Sequence, residues 1–599
     1  MISSRISIPR WIVGGLFASL AVSFSVAQAQ DKPRSLVPPL GQSTNTQQTE
    51  TAPASNPTLT PPSQKKVIEG TRIDGSVVVQ SLGGLDPASI GTLTSASGGL
   101  GPDMWDGTAP ERVITLLQNL PVSSASPEMQ RLFRRLLLTA AVIPQGTENP
   151  TDLIRLRLEK LVEAGLVTDA TELVSRMPAS GMTPALDRIA VELLLLQGQN
   201  DQACRAVEGQ QEASIDGFWA KADIFCNLVA GNMARAELGL NLLDETAGDD
   251  TLFFALFDRV AGGATPLPET DQELTPLHFA MMRLSRVSPS LSSIENAGHA
   301  FLWALAMDEA ANVDDRYVAA YESLTMGSVA PELLRRLINQ GAFRDNADER
   351  TELAQIAMLY REAVGTDADL EKARLVGEIW AAGERDGSYF TASRLSFPLL
   401  TNLTPAEYGD KFELDALRLS LLSKAETETT NWERAVRRGA LRGNFEERDA
   451  ARRQIARADA YMIISGTTGI AKWNAANFDV AVFNHGEDAA QSENVGMYLG
   501  ILELFGEPVP DKLWSDALAL GQVPRFGLSN QVIEKNLDRA ADAGLVGETI
   551  ALSLAALGEE GPGLASTETL VSVLTALQKI GLTEEARQLA LEAAITRNL

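Results

Sequence analysis

From Met104 almost to Leu599 the apolar residues follow a helical rhythm. ERVITLLQNL (111–120), MQRLFRRLLLTAAV (129–142), DLIRLRLEKLVEAG (152–165) and LDRIAVELLLLQG (186–198) place them at i, i+3, i+4 and i+7. That spacing gathers apolar side chains on one face of an α-helix. Glycine, proline or a cluster of Asp, Asn and Ser breaks the rhythm at intervals of about 10 to 16 residues, which predicts short helices paired as hairpins. Strand-type alternation is nearly absent after residue 95. Before it, Val67, Ile68, Ile73 and Val77 to Val79 stand among glycines, which predicts two short strands or an extended arm over 67–103 that ends in the loop SASGGLGPD (95–103).

The helical pattern repeats. LVEAGLVTDATELV, LLLQGQNDQACRAV and NLVAGNMARAELGL align on Gly165, Gly198 and Gly231, a period of 33 residues. Each carries alanine five positions on, at Ala170, Ala203 and Ala236. RAADAGLVGETIAL around Gly544 and ALQKIGLTEEARQL around Gly581 repeat the idea, with Ala586 keeping the alanine and Thr549 replacing it. Glycine can end a helix in the left-handed conformation that other residues avoid. A small side chain one turn into the next helix lets the two backbones approach. Glycine, four residues and alanine at this period, with Trp219 twelve residues before Gly231, is similar to the tetratricopeptide repeat. That resemblance implies an irregular all-α solenoid over 104–599, most regular at 150–260, drifting at 265–540 and recovering at 541–599. The stretches SLGGLDPASIGTL (81–93), MWDGT (104–108) and MQRLFRRLLLTAA (129–141) resemble a group of exported alphaproteobacterial helical proteins, which implies a location and a fold and no activity.

The N-terminus reads as a leader. Arg5 and Arg10 precede an apolar run, Trp11 to Phe24, and Ala27-Gln28-Ala29 forms a small-residue cleavage site, so residues 1–29 are expected to be a signal peptide and the mature chain periplasmic. Residues 30–66 are rich in Pro, Ser, Thr and Gln and predict a disordered tether. No later segment is apolar for long enough to span a membrane, so no membrane insertion of the mature chain is expected. The formal charge is −27, which argues against phosphate neutralisation and hence against nucleic acid as a ligand.

Export changes the meaning of the two cysteines, Cys204 and Cys226, because it permits a disulfide. They are equidistant from residue 215, the expected turn between helices at about 200–211 and 216–230, so in an antiparallel pair they stand at one height. No C-x-x-C motif suggests redox catalysis.

Other chemistry is sparse. His278, His299 and His485 are far apart, and no H-E-x-x-H, G-x-S-x-G or P-loop occurs, so neither a metal nor a cofactor is expected. These readings together predict a non-catalytic scaffold of the cell envelope that binds a partner protein or peptide through the groove of the 150–260 repeats, where acidic residues favour a basic contact surface. The alternatives are a cell-wall-active enzyme, or a regulator of one, with a helical superhelix, for which 460–500 is the only unusual stretch, and a structural spacer.

Overall fold

The computed structural model describes residues 87–599, apart from 211–216, 248–249, 269–273, 288–290, 292–293, 295–296, 345–350, 407, 440–444, 468–472, 476–490, 519–529 and 599. The expected leader with Ala27 and Ala29, the tether and the candidate strand positions at 67–79 lie outside the described residues, as does His485. Among the described residues the chain is all-α, with 25 α-helices and no β-strand. No described helix is long and apolar enough to cross a membrane.

Helix starts follow local chemistry. α1 (Pro110–Gln118), α2 (Pro127–Leu138) and α3 (Pro150–Glu163) begin on proline, whose fixed φ and missing N–H suit the first helical position. Ser126 caps α2 by accepting from Met129 N–H at 3.2 Å.

The five predicted turn glycines share one geometry. Gly165, Gly198, Gly231, Gly544 and Gly581 all have φ between 69° and 86°. In each case the next residue donates its N–H to the carbonyl five positions back, as Leu166 does to Leu161 at 2.8 Å and Leu582 to Leu577 at 2.9 Å. This bond satisfies a carbonyl at the end of the helix and reverses the chain at once. The small residues one turn later, Ala170, Ala203, Ala236, Thr549 and Ala586, are all buried. The pairs so formed include α3 with α4 (Val167–Ser175), α5 (Pro184–Leu196) with α6 (Asn200–Glu208), and α7 (Gly217–Val229) with α8 (Met233–Ala247). Gly165 is doubly constrained, since a Cβ there would lie 2.9 Å from the carbonyl oxygen of His299.

Of the segment 67–103 the described part is 87–103, which lies beyond the candidate strand positions. It forms two 3-10 turns, Pro87–Ser89 and Ser95–Ser97, and makes one isolated parallel bridge, Leu93 with Thr139. A clamp that the sequence pattern does not reveal ties its first residues to the end of α2. Arg157, buried in α3, donates to the carbonyls of Leu137 (2.6 Å), Ile90 (2.7 Å), Ala88 (3.2 Å) and Thr139 (3.2 Å).

Among the described residues two hydrophobic cores form. The larger runs from Ala88 to Ile595 and includes Trp380, stacked on Phe412 with ring centroids 5.1 Å apart. The smaller gathers residues between Val191 and Met282, with Trp219, Phe225 and Phe253 at its centre. Cys204 on α6 and Cys226 on α7 pack against this smaller core, with sulfurs 2.12 Å apart and Cα atoms 5.3 Å apart. The bond joins the second helix of one pair to the first helix of the next.

The helices also return on themselves. Val546–Leu557 packs on α1 and α2, and Thr583–Thr596 packs on α2. Met104 and Trp105 seal the junction: Gly547 N–H donates to Met104 O at 2.8 Å, and a Cβ on Gly547 would strike the Trp105 ring at 2.7 Å. Arg112 of α1 pairs with Glu548 at 3.0 Å.

Closing a loop of 22 residues removes chain entropy from the unfolded state. The double variant Cys204→Ser/Cys226→Ser should therefore lose about 3 kcal/mol. Hydrogen exchange should rise in peptides from 191–287 and stay unchanged in 110–163. Equal loss of protection in both regions would contradict a separate smaller core.

Candidate functional site: an arginine-lined cavity beside α2

α2 has two faces. Met129, Leu132, Phe133, Leu136 and Leu137 are buried in the larger core. Gln130, Arg131, Arg134 and Arg135 form the other face and line a cavity of about 650 Å³. The opposite wall comes from two helices in the middle of the chain. Tyr389–Thr401 supplies Phe390, Ser393 and Arg394, and Asp410–Leu422 supplies Leu419 and Leu422. α4 adds Asp169 and Glu172, the N-terminal segment adds Thr92 and Leu93, and the last helix adds Glu592.

The guanidiniums are held in place by different partners. Arg134 bridges to Asp169 at 2.7 Å, Arg131 to Glu128 at 2.8 Å, and Arg135 to Glu585 at 2.5 Å. Arg135 also donates to Gly98 O at 2.8 Å. Arg394 differs: among the described residues no carboxylate lies within ion-pair distance, and its one hydrogen bond runs to Leu324 O at 3.1 Å. Burial, then the neighbouring Arg134 and Arg131, pull its proton affinity below that of an ordinary guanidinium, against a weaker opposing pull from Glu332. The Asp169 carboxyl is raised by burial, an effect that its bond to Arg134 only partly offsets.

The floor is set by Glu592. Its Oε1 accepts from Glu128 N–H at 2.9 Å, and the Ser126 hydroxyl donates to Oε2. The last helix thus caps the first turn of α2, 464 residues away in sequence. Burial pushes the Glu592 carboxyl up to about 8, with the bond from Ser126 opposing and Glu128 adding to the rise. Burial also raises Glu128 to about 7, against the pull of Arg131.

Of the residues singled out in the sequence, Cys204 and Cys226 meet, and the repeat glycines and small residues occupy separate hairpins. His278 is buried in the smaller core. Its Nδ1 accepts from Thr275 N–H at 3.2 Å, which leaves the proton on Nε2, 3.0 Å from both oxygens of Asp250. Asp250 also accepts from Lys221 Nζ at 2.6 Å and Phe253 N–H at 3.1 Å. Burial opposes its ionisation, but the bonds from His278, Lys221 and Phe253 win and hold it well below the usual carboxylate range. His299 starts a different helix, His299–Met307, and burial lowers its proton affinity. Among the described residues no three His, Cys, Asp or Glu side chains are grouped to hold a metal ion.

The interacting surface expected from the repeats lies on 150–260, and of the cavity lining only Asp169 and Glu172 belong to that segment. The missed signal is RLFRR (131–135), three arginines within five positions of a chain with a net charge of −27. Comparison with protein-family models finds no match, and comparison with curated proteins finds no similar sequence.

Both raised carboxyls bind protons more tightly in the folded than in the unfolded chain. Their favourable contribution is complete below the ordinary value of 4.5 and is lost as pH rises through about 7 and about 8. Glu592→Gln should therefore be no more stable than wild type at pH 5 and more stable at pH 8.5. Parallel thermal unfolding at the two pH values checks this, and an offset of equal size and sign at both would contradict it.

Proposed function

We propose that the chain is an exported, non-catalytic scaffold of the bacterial cell envelope, which recognises a partner protein or peptide along a solenoid of stacked helix pairs. In this reading residues 1–29 are removed after Ala29 and the mature protein is periplasmic, with 30–66 as a tether. The tetratricopeptide-like repeat supplies the binding face. The observation that carries the reading is the recurrence of one turn, with its left-handed glycine and buried small residue, at Gly165, Gly198, Gly231, Gly544 and Gly581. Such units bury one stripe on their neighbours and leave an extended surface. Over 150–260 that surface carries exposed Asp201, Glu208, Glu237, Asp244 and Glu245, which suits a basic partner.

A cell-wall-active enzyme is the second reading, favoured by one group. Glu592 lines the cavity with a raised carboxyl, as a general acid requires. Both of its oxygens are already engaged, by Glu128 N–H and Ser126, which favours a structural role.

The triple variant Glu208→Lys/Glu237→Lys/Asp244→Lys tests the scaffold reading. Crosslinking in envelope fractions followed by affinity capture should recover a partner with the wild type, more weakly as salt rises, and lose it with the variant. A variant that folds normally and retains every partner would contradict binding through this face. Turnover of purified cell wall would favour the enzyme.

A further inference from the structure

The cavity beside α2 combines a guanidinium that forms no ion pair among the described residues with an apolar wall. Arg394 has five N–H donors, and among the described residues one of them is used, on Leu324 O. Arg394 is half-buried, and the acid that acts on it, Glu332, is bonded to Arg335 at 2.5 Å. A partly desolvated guanidinium without a bonded carboxylate is costly unless something compensates it. Arg131, Arg134 and Arg135 add positive potential, but each already has its own acid, and Glu172 pairs with Arg176 at 2.5 Å. Arg394 is therefore the lining guanidinium that is open to the carboxylate of a ligand. Beside it, Phe390, Leu419, Leu422 and Leu93 present apolar surface to the same space. A volume of about 650 Å³ exceeds what a bare inorganic anion fills and lies within the usual range for small-molecule sites.

We propose that this cavity binds an apolar monocarboxylate, with its head group on the Arg394 guanidinium and its hydrocarbon body against Phe390, Leu419 and Leu422. Arginine suits a carboxylate because its donors form a planar fork that matches the two oxygens. A dianionic phosphate would carry a second charge with no free guanidinium to meet it, close to Asp169 and Glu172. Two sources offer the required chemistry, a fatty acid and the free C-terminus of an apolar peptide. Glu208, Glu237 and Asp244 do not line the cavity, so this site and the acidic partner face succeed or fail separately.

Titration calorimetry on the full mature chain tests the proposal, with dodecanoate below its micellar concentration, dodecanol, dodecyl phosphate, and acetyl-Leu-Leu-Leu with a free or amidated terminus. Dodecanoate or the free-acid peptide should bind at least tenfold more tightly than its uncharged counterpart, and which of the two does so identifies the source. Arg394→Gln should weaken that ligand at least tenfold. Ser423→Glu, at an exposed position on the cavity rim, adds a negative charge without disturbing the core and should weaken it at least fivefold, which keeps the test open if Arg394→Gln fails to fold. Equal affinity for charged and uncharged ligands, tighter binding of dodecyl phosphate than of both carboxylates, or unchanged affinity in the folded variants would overturn the proposal.

Discussion

The N-terminus of α2 is the point on which the larger core depends. A helix start leaves backbone N–H groups without partners inside the helix, and in a buried place each must find an acceptor. Here the acceptor is a side chain of the last helix: Glu592 takes Glu128 N–H and the Ser126 hydroxyl. Burial raises the proton affinity of this carboxyl, against the opposing pull of the bond from Ser126. Around this contact the Arg112–Glu548 and Arg135–Glu585 pairs and the fit of Trp105 against Gly547 align the same two ends. The cavity follows from that alignment, because its lining reaches from Thr92 to Glu592.

What the sequence revealed was local. The left-handed turns at the five glycines and the shared height of Cys204 and Cys226 each depend on residues within one hairpin or two adjacent ones. Periodicity and turn chemistry encode such relations directly. The return of the C-terminal helices onto α1 and α2 is a relation across more than 400 positions, and no periodicity encodes it. The same holds for Arg157, whose place in RLRLEK reads as a polar helical position although it clamps four carbonyls. The arginines of α2 were visible as a cluster. That they face a cavity depended on helices Tyr389–Thr401 and Asp410–Leu422, more than 250 residues further on.

The smaller core shows how a lobe without such closure is held. Between Val191 and Met282 it relies on the Cys204–Cys226 bond and on Asp250, which gathers Lys221, His278 and the start of its own helix. The histidine there is a structural donor, fixed by the capping contact to Thr275. The two cores thus divide the work: one organises an arginine-lined space, and the other stabilises a segment that carries the exposed acidic side chains.

Closure of the helical path onto α1 and α2 is the central claim, and a distance between its two partners tests it most directly. Spin labels at exposed Glu111, on α1, and exposed Glu559, just beyond Val546–Leu557, report on that junction. Packed helices lie about 10 Å apart, so pulsed dipolar spectroscopy should give one narrow distribution below roughly 30 Å. A broad distribution centred at longer distances, as an open stack of helix pairs would give, would contradict the account.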